Sequence, residues 1–127
     1  MEQTTDTSSG QWIDLADLSG LVASLKAPDT KIDAIIDAML AGPTVVRKLT
    51  LSDLRDTGWL DPQPFTAGGS ALRVLLQRRG LKSRTWSADG IVTTSVSDLS
   101  GISKQASGHD DIVSTLLAVI LFETTRH

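Results

Sequence analysis

The chain has 127 residues, 40% of them hydrophobic, and a formal net charge of −3, as expected for one domain with its own core. It contains no cysteine, which excludes disulfides and thiolate metal sites. The first ten residues lack the regions of a signal peptide, and no apolar run approaches the ~20 residues of a membrane span. We therefore expect a cytoplasmic protein without a membrane partner, with a disordered polar tail over 1–10 and a single domain over 11–127.

The first two predicted elements are helices. Apolar residues recur at steps of three and four over residues 12–25, although Gly20 weakens a helix there. Thr30 is a suitable N-cap for a second helix, whose apolar stripe occupies residues 32–40. Gly42-Pro43 is then expected to end that helix.

The middle of the chain predicts three further elements. Residues 45–49 favour a short extended piece, and Thr50 is a suitable cap for a helix of about two turns. The two prolines within 61–64 indicate a turn. A further helix is expected from Thr66 to about Arg79, with Leu72, Leu75 and Leu76 facing inward.

Beyond this helix the sequence pattern changes from one typical of a helix to one typical of strands. Residues 84–87 and 91–96 are rich in β-branched and aromatic types, and Ala88-Asp89-Gly90 separates them. Asp-Gly in that position predicts a hairpin with a type I′ turn, which needs positive φ at both central residues. A polar linker is expected over 97–108, followed by a C-terminal helix over about 110–125.

The order of elements from Lys31 to Val96 resembles the winged-helix superfamily, and Gly69 to Thr94 is similar to small winged-helix modules of phage and plasmid replication proteins. The resemblance implies a mostly α fold with a small β-hairpin: a winged helix-turn-helix core over about 31–96 with additional N-terminal and C-terminal helices. It also implies that the third helix of this core, the one expected from Thr66 to about Arg79, enters the major groove of DNA, while the hairpin touches the flanking backbone or the minor groove.

Charge is distributed unevenly. Residues 47–84 carry eight cations against three carboxylates, a net +5, whereas 1–46 carry −5 and 85–127 carry −3. This asymmetry is typical of nucleic-acid binding, and equally of a solvated surface on which charges happen to cluster. Side chains suited to base edges and phosphates lie opposite the inward leucines or follow on the extended stretch. The predicted DNA-binding residues are Thr66, Ser70, Arg73, Gln77, Arg78, Lys82 and Arg84.

Some of these residues have a structural alternative. Cations such as Arg78 near a helix C-terminus are expected as caps, which makes Lys82 and Arg84 the better phosphate ligands. The glycines at 68–69 leave backbone amides open to a phosphate. Trp86 can stack on a base or sugar, but we expect it to pack the hairpin onto the core.

We therefore predict binding of double-stranded DNA, by a transcriptional regulator or by a replication or partition accessory. We predict no enzymatic activity, cofactor or metal, because His109-Asp110-Asp111 is better explained as a helix start. The alternative is a winged-helix protein–protein interaction module within a larger assembly, which should expose an apolar patch on the last helix. That helix is apolar around most of its circumference, so it is either buried in the monomer or pairs two chains into a homodimer.

Overall fold

The structure is a computed structural model that describes residues 12–42, 44–50 and 63–125. Within those ranges the chain is an α+β protein with four α-helices, one 3-10 helix and five strands. In chain order these are β1 (Trp12–Asp14), α1 (Leu15–Ala23), α2 (Thr30–Leu40), β2 (Lys48–Thr50), the 3-10 helix (Phe65–Ala67), α3 (Ser70–Arg78), β3 (Lys82–Ala88), β4 (Ile91–Ser97), β5 (Ser103–Gly108) and α4 (Asp111–Thr125). β1 pairs with β2, and β3, β4 and β5 form a separate antiparallel sheet in that order.

Aspartates begin the first two helices. Asp14 and Asp17 form a capping box, in which the Asp17 N–H donates to Asp14 Oδ1 over 2.8 Å and the Asp14 N–H donates to Asp17 Oδ2 over 3.0 Å. The predicted helical start at Trp12 is therefore wrong, because the residues before the cap pair with β2 as a strand. Helix α2 is capped by Asp29, one residue before the predicted Thr30.

The hairpin between β3 and β4 forms as predicted. Ala88 and Ile91 are opposite each other in the register, and two residues join them. Asp89 has φ +54° and Gly90 has φ +79°, the pair of positive values that defines a type I′ turn. Local turn chemistry thus determines the register of these two strands.

The segment predicted as a polar linker forms strand β5. The turn before it is organised by Asp98, whose Oδ1 accepts the N–H of Ser100 over 3.0 Å and of Ile102 over 3.1 Å. From there β5 pairs with β4 along its length, from Ser97↔Ser103 to Val92↔Gly108. The linker prediction failed because this strand has little intrinsic β-propensity and is stabilised by its partner strand and by α4.

Helix α4 packs against β4, β5 and α1 and supplies much of the core. Its buried apolar side chains are Val113, Leu116, Ala118, Val119, Ile120 and Phe122. Of the two alternatives for this helix, the structure therefore shows burial within the chain. Its one large apolar side chain that is exposed in the described range is Leu121, so the predicted homodimer through α4 loses its basis. Among the described residues, no helix has both the length and the apolarity to cross a membrane.

The predicted fold class, a mostly α winged helix-turn-helix with a small β-hairpin, is wrong. The expected short strand corresponds to β2, which pairs with β1 instead of joining the hairpin. The hairpin is itself part of a three-stranded sheet with α4 packed on one face. The predicted tail over 1–10 and the short helix that follows Thr50 lie outside the described residues.

Candidate nucleic-acid interface

The two faces of the β3–β4–β5 sheet differ in what covers them. Thr94 and Val96 of β4 are fully buried and face α4. Thr85 lies opposite Thr94, and their hydroxyl oxygens are 2.9 Å apart, so Thr85 faces the same way. Because side chains alternate along a strand, the residues between these positions face away from α4.

We call this second side the open face. All residues of β3 are exposed, and those of β4 on this side are exposed or half-buried. Its central rows, taken across the strands, are Lys82–Ser97–Ser103, Arg84–Ser95–Gln105 and Trp86–Thr93–Ser107, with Ala88 and Ile91 beside the hairpin turn. None of these side chains is acidic, so the face combines two cations, an indole, hydroxyls and one amide.

Trp86 lies within this polar surface and is 45% exposed. Across the strands from it, the Thr93 and Ser107 hydroxyl oxygens lie 2.8 Å apart. Arg84, two residues earlier on β3, lies on the same side. The expectation that Trp86 packs the hairpin onto the core is therefore wrong, because the core lies on the opposite face of the sheet.

A groove at the edge of the sheet separates β3 from the start of α4. Besides Trp86, it is lined by Thr85, Ser87 and Val92, whose side chains face α4, and by Asp110 and Asp111 of the α4 start. The Lys82 row lies at the opposite end of the strands, beside the turn organised by Asp98. The two cations of the open face, Arg84 and Lys82, therefore lie toward the end of β3 that is remote from the hairpin turn.

Thr66 was predicted as a DNA ligand, and the structure corrects this assignment. Helix α3 begins at Ser70, whereas Thr66 belongs to the 3-10 helix and is only 3% exposed. Its N–H donates to Asp33 Oδ1 over 2.7 Å, and its Oγ1 accepts the N–H of Asp29 over 2.8 Å. Thr66 thus fastens the 3-10 helix to the start of α2.

Arg78 and its neighbour Arg79 donate hydrogen bonds to the C-terminal end of another helix, α2. Arg78 Nη1 donates to the carbonyl oxygen of Ala41 over 2.7 Å, and Arg79 Nη2 donates to that of Gly42 over 2.5 Å. Ala41 is the C-cap of α2, so both guanidinium groups lie at the negative end of that helix. The capping alternative weighed for Arg78 therefore describes its contact, although the capped helix is α2 and not its own.

The remaining predicted residues are exposed. Ser70, Arg73 and Gln77 lie on the outer side of α3, while Leu72 and Leu75 face the core as expected. Lys82 and Arg84 are exposed on β3. The predicted residues thus separate into two on the open face, three on α3, one cap and one buried anchor.

The histidine-containing segment at the start of α4 is structural. His109 Nε2 lies 2.6 Å from the carbonyl oxygen of Leu25, which connects this segment to the end of α1. Asp110 Oδ1 accepts the N–H of Val113 over 2.8 Å, the helix-start role expected of it. In the described part of the chain, no cluster of His, Cys, Asp or Glu side chains could hold a metal ion.

Sequence reasoning missed the polar residues of β4 and β5 on the open face. They are Thr93, Ser95, Ser97, Ser103, Gln105 and Ser107. The available signal was the alternation Val92, Thr94, Val96 against polar intervening residues, which marks one covered and one open side. No protein-family model, curated protein or solved structure matches this chain.

Proposed function

We propose that this protein binds nucleic acid through the open face of its three-stranded sheet. The observation that supports this function is the placement of Lys82 and Arg84 at alternate positions of an exposed strand, in line with a half-exposed Trp86. A polyanion with aromatic bases complements this combination, because ammonium and guanidinium groups neutralise phosphates while an indole stacks on bases.

The polar side chains of β4 and β5 support the same function. Hydroxyl and amide groups commonly contact phosphate and sugar oxygens, and a row such as Arg84–Ser95–Gln105 offers donors across the sheet. A transcriptional regulator and a replication or partition accessory would both need such a surface. The exposed residues of α3, Ser70, Arg73 and Gln77, are proposed as secondary contacts.

Two matched double variants test this function. Fluorescence anisotropy of labelled single-stranded and duplex oligonucleotides should show wild-type binding that weakens between about 50 and 200 mM salt. Lys82→Gln/Arg84→Gln should weaken binding and reduce the log–log salt slope by about 0.7–0.9 per lost phosphate contact. The control, Lys26→Gln/Lys31→Gln, changes the net charge equally at exposed positions outside the sheet and should leave the slope nearly unchanged.

Two results would overturn the function. One is the absence of wild-type binding to any of these oligonucleotides at the lower salt concentration. The other is an equal loss of affinity in both double variants, which would show that only the net charge matters and that the open face is no specific surface.

A protein-interaction role is the second candidate, and one observation favours it. Leu99 is 92% exposed and Ile102 is 56% exposed on the turn between β4 and β5, which Asp98 organises. These two side chains lie on a turn and not on the last helix, where the apolar patch was expected. If the turn is an interface, Leu99→Ser/Ile102→Ser should abolish a protein association seen by light scattering while leaving oligonucleotide binding intact.

A further inference from the structure

We infer that the nucleic acid bound by the open face is single-stranded RNA, with a base stacked on Trp86 and phosphates following Arg84 and Lys82. This inference rests on the proposed function and specifies its ligand. It follows from three features of the open face: its width, the position of its one aromatic side chain, and the chemistry on either side of that side chain.

The width of the sheet disfavours a duplex. Three strands about 4.8 Å apart place the outer strand axes ~10 Å from each other, before side chains are counted. The major groove is ~12 Å wide and accepts an α-helix or a two-stranded ribbon. A three-stranded sheet presented by its face does not fit that groove, whereas a single strand can lie across it.

The position of Trp86 requires unstacked bases. Its neighbours across the sheet are the small side chains Thr93 and Ser107, so a planar ring can approach the indole without displacing a bulky group. In a duplex both faces of each base are already stacked on neighbouring bases. A base in a single strand is free to stack on the indole, an arrangement that tolerates any base.

The cations of the open face determine the path of the sugar–phosphate backbone of the bound strand. Arg84 and Lys82 follow Trp86 at alternate residues, which are spaced about 7 Å apart along a strand. Asp110 and Asp111 line a groove with Thr85, Ser87 and Val92, whose side chains face α4, so these carboxylates are not part of the open face. A strand with one base on Trp86 therefore runs its phosphates toward the Lys82 end of the sheet.

The hydroxyls indicate RNA. Phosphates along β3 place the sugars over β4 and β5, where Thr93, Ser95 and Ser107 lie. A 2′-hydroxyl both donates and accepts hydrogen bonds, as serine and threonine hydroxyls do, and it is the group by which proteins distinguish RNA from DNA. None of the strand side chains described on this face is a carboxylate, so none of them repels the adjacent phosphates.

The test compares three labelled probes by anisotropy with the full chain: a short oligouridylate, the oligodeoxyuridylate of equal length, and duplex DNA with the same number of phosphates. We expect the oligouridylate to bind most tightly. Trp86→Ala should weaken its binding by about 5- to 150-fold, the effect of losing one base stack. Trp86→Phe should restore most of the affinity, whereas Trp86→Leu, which keeps apolar bulk without an aromatic ring, should not.

Trp12→Ala is the matched control. Trp12 is 54% exposed on the other sheet with Lys48 Nζ 5.9 Å from its ring centroid, so it is a second exposed indole beside a cation. Its loss should leave the affinity unchanged. Far-UV circular dichroism of every variant verifies folding, and the comparison of the Phe and Leu variants retains its meaning even if the Ala variant unfolds.

The outcomes separate this inference from the proposed function. Duplex binding as tight as oligouridylate binding, or equal affinity of the Leu and Phe variants, would overturn the single-strand assignment while nucleic-acid binding stands. Equal affinity for oligodeoxyuridylate would overturn the assignment to RNA. The absence of binding to all three probes would overturn both the inference and the function.

Discussion

The hydroxyl oxygen of Thr94 on β4 lies 2.8 Å from that of Ser114 on α4, and both side chains are fully buried. The Thr94 hydroxyl is also 2.9 Å from that of Thr85 and 3.3 Å from that of Thr115. One hydroxyl offers one donor and two acceptor sites, so three partners use its full capacity. This contact holds the covered face of the sheet against α4, on the side away from the open face.

Thr94→Val should therefore destabilise the fold. Valine keeps the shape but removes the shared partner of Thr85, Ser114 and Thr115, at a cost of about 1–3 kcal/mol in the free energy of unfolding. Urea denaturation measures this loss. Thr93→Val, one residue earlier on the open face, should stay within ~1 kcal/mol of wild type. Equal losses in the two variants would show that the buried hydroxyl network contributes nothing specific.

Gly108, the last residue of β5, is required by close packing. A Cβ at this position would lie 2.7 Å from Val113 Cγ1 and 3.2 Å from the Ser114 backbone nitrogen. Gly108→Ala should cost about 1–3 kcal/mol, because the first turn of α4 must shift. Gly20→Ala in α1 has open space around the added carbon, so it should instead stabilise by ~0.5–1 kcal/mol. Thermal unfolding of the two variants should shift in opposite directions, and a stabilised Gly108→Ala would contradict the packing argument.

Thr66→Val should affect stability and not binding. The substitution removes the acceptor of the Asp29 N–H while keeping the backbone donor to Asp33, so we expect a loss of about 1–2 kcal/mol. Oligonucleotide affinity per folded molecule should be unchanged. Ser70→Ala, at the exposed start of α3, is the comparison and should have little effect on unfolding. Weakened binding by fully folded Thr66→Val would restore Thr66 to the interface.

The capping box at α1 predicts an acid-dependent component of stability. The Asp17 N–H donates to Asp14 and holds the pKa of the Asp14 carboxyl below its usual 3.8. Because the folded pKa is the lower one, this contribution is complete above pH ~4 and is lost as the pH falls through the folded pKa. Asp14→Asn should flatten the pH dependence of unfolding in that acidic range. The exposed Asp37→Asn is the control, and an identical curve for wild type and Asp14→Asn would refute the contribution.

Deforming the hairpin turn should separate its structural role from its binding role. Gly90 has φ +79°, so Gly90→Val strains the backbone and distorts the tip of β3 and β4 at a cost of about 1–3 kcal/mol. The helical core does not depend on that tip, and most of the stability should remain. Binding should weaken because Trp86 lies close to the turn. Proteolysis together with anisotropy measures both effects, and unchanged affinity in a distorted hairpin would exclude a role for this end of the open face.

Part of this structure is determined locally and could be predicted. The Asp89-Gly90 turn is specified by two residues that accept positive φ, and the apolar stripe of α2 by its own periodicity. Burial of α4 was one of two predicted alternatives, because an all-round apolar helix must be covered by something. Exposure of Lys82 and Arg84 was also expected, since an alternating extended stretch places cations at the surface.

Tertiary structure alone decided the rest, because the deciding partners lie far away in the chain. Strand β5 forms from residues of low β-propensity only because β4 and α4 provide hydrogen bonds and a covering surface. Thr66 and Arg78 were predicted as ligands from helix-face geometry, but their contacts are with α2 and its C-cap, about 37 residues earlier. The covered side of the sheet, and hence the exposure of Trp86, depended on where α4 packs. Periodicity within β3 and β4 shows that two faces exist, but only the packing of a distant helix determines which of them is free to bind.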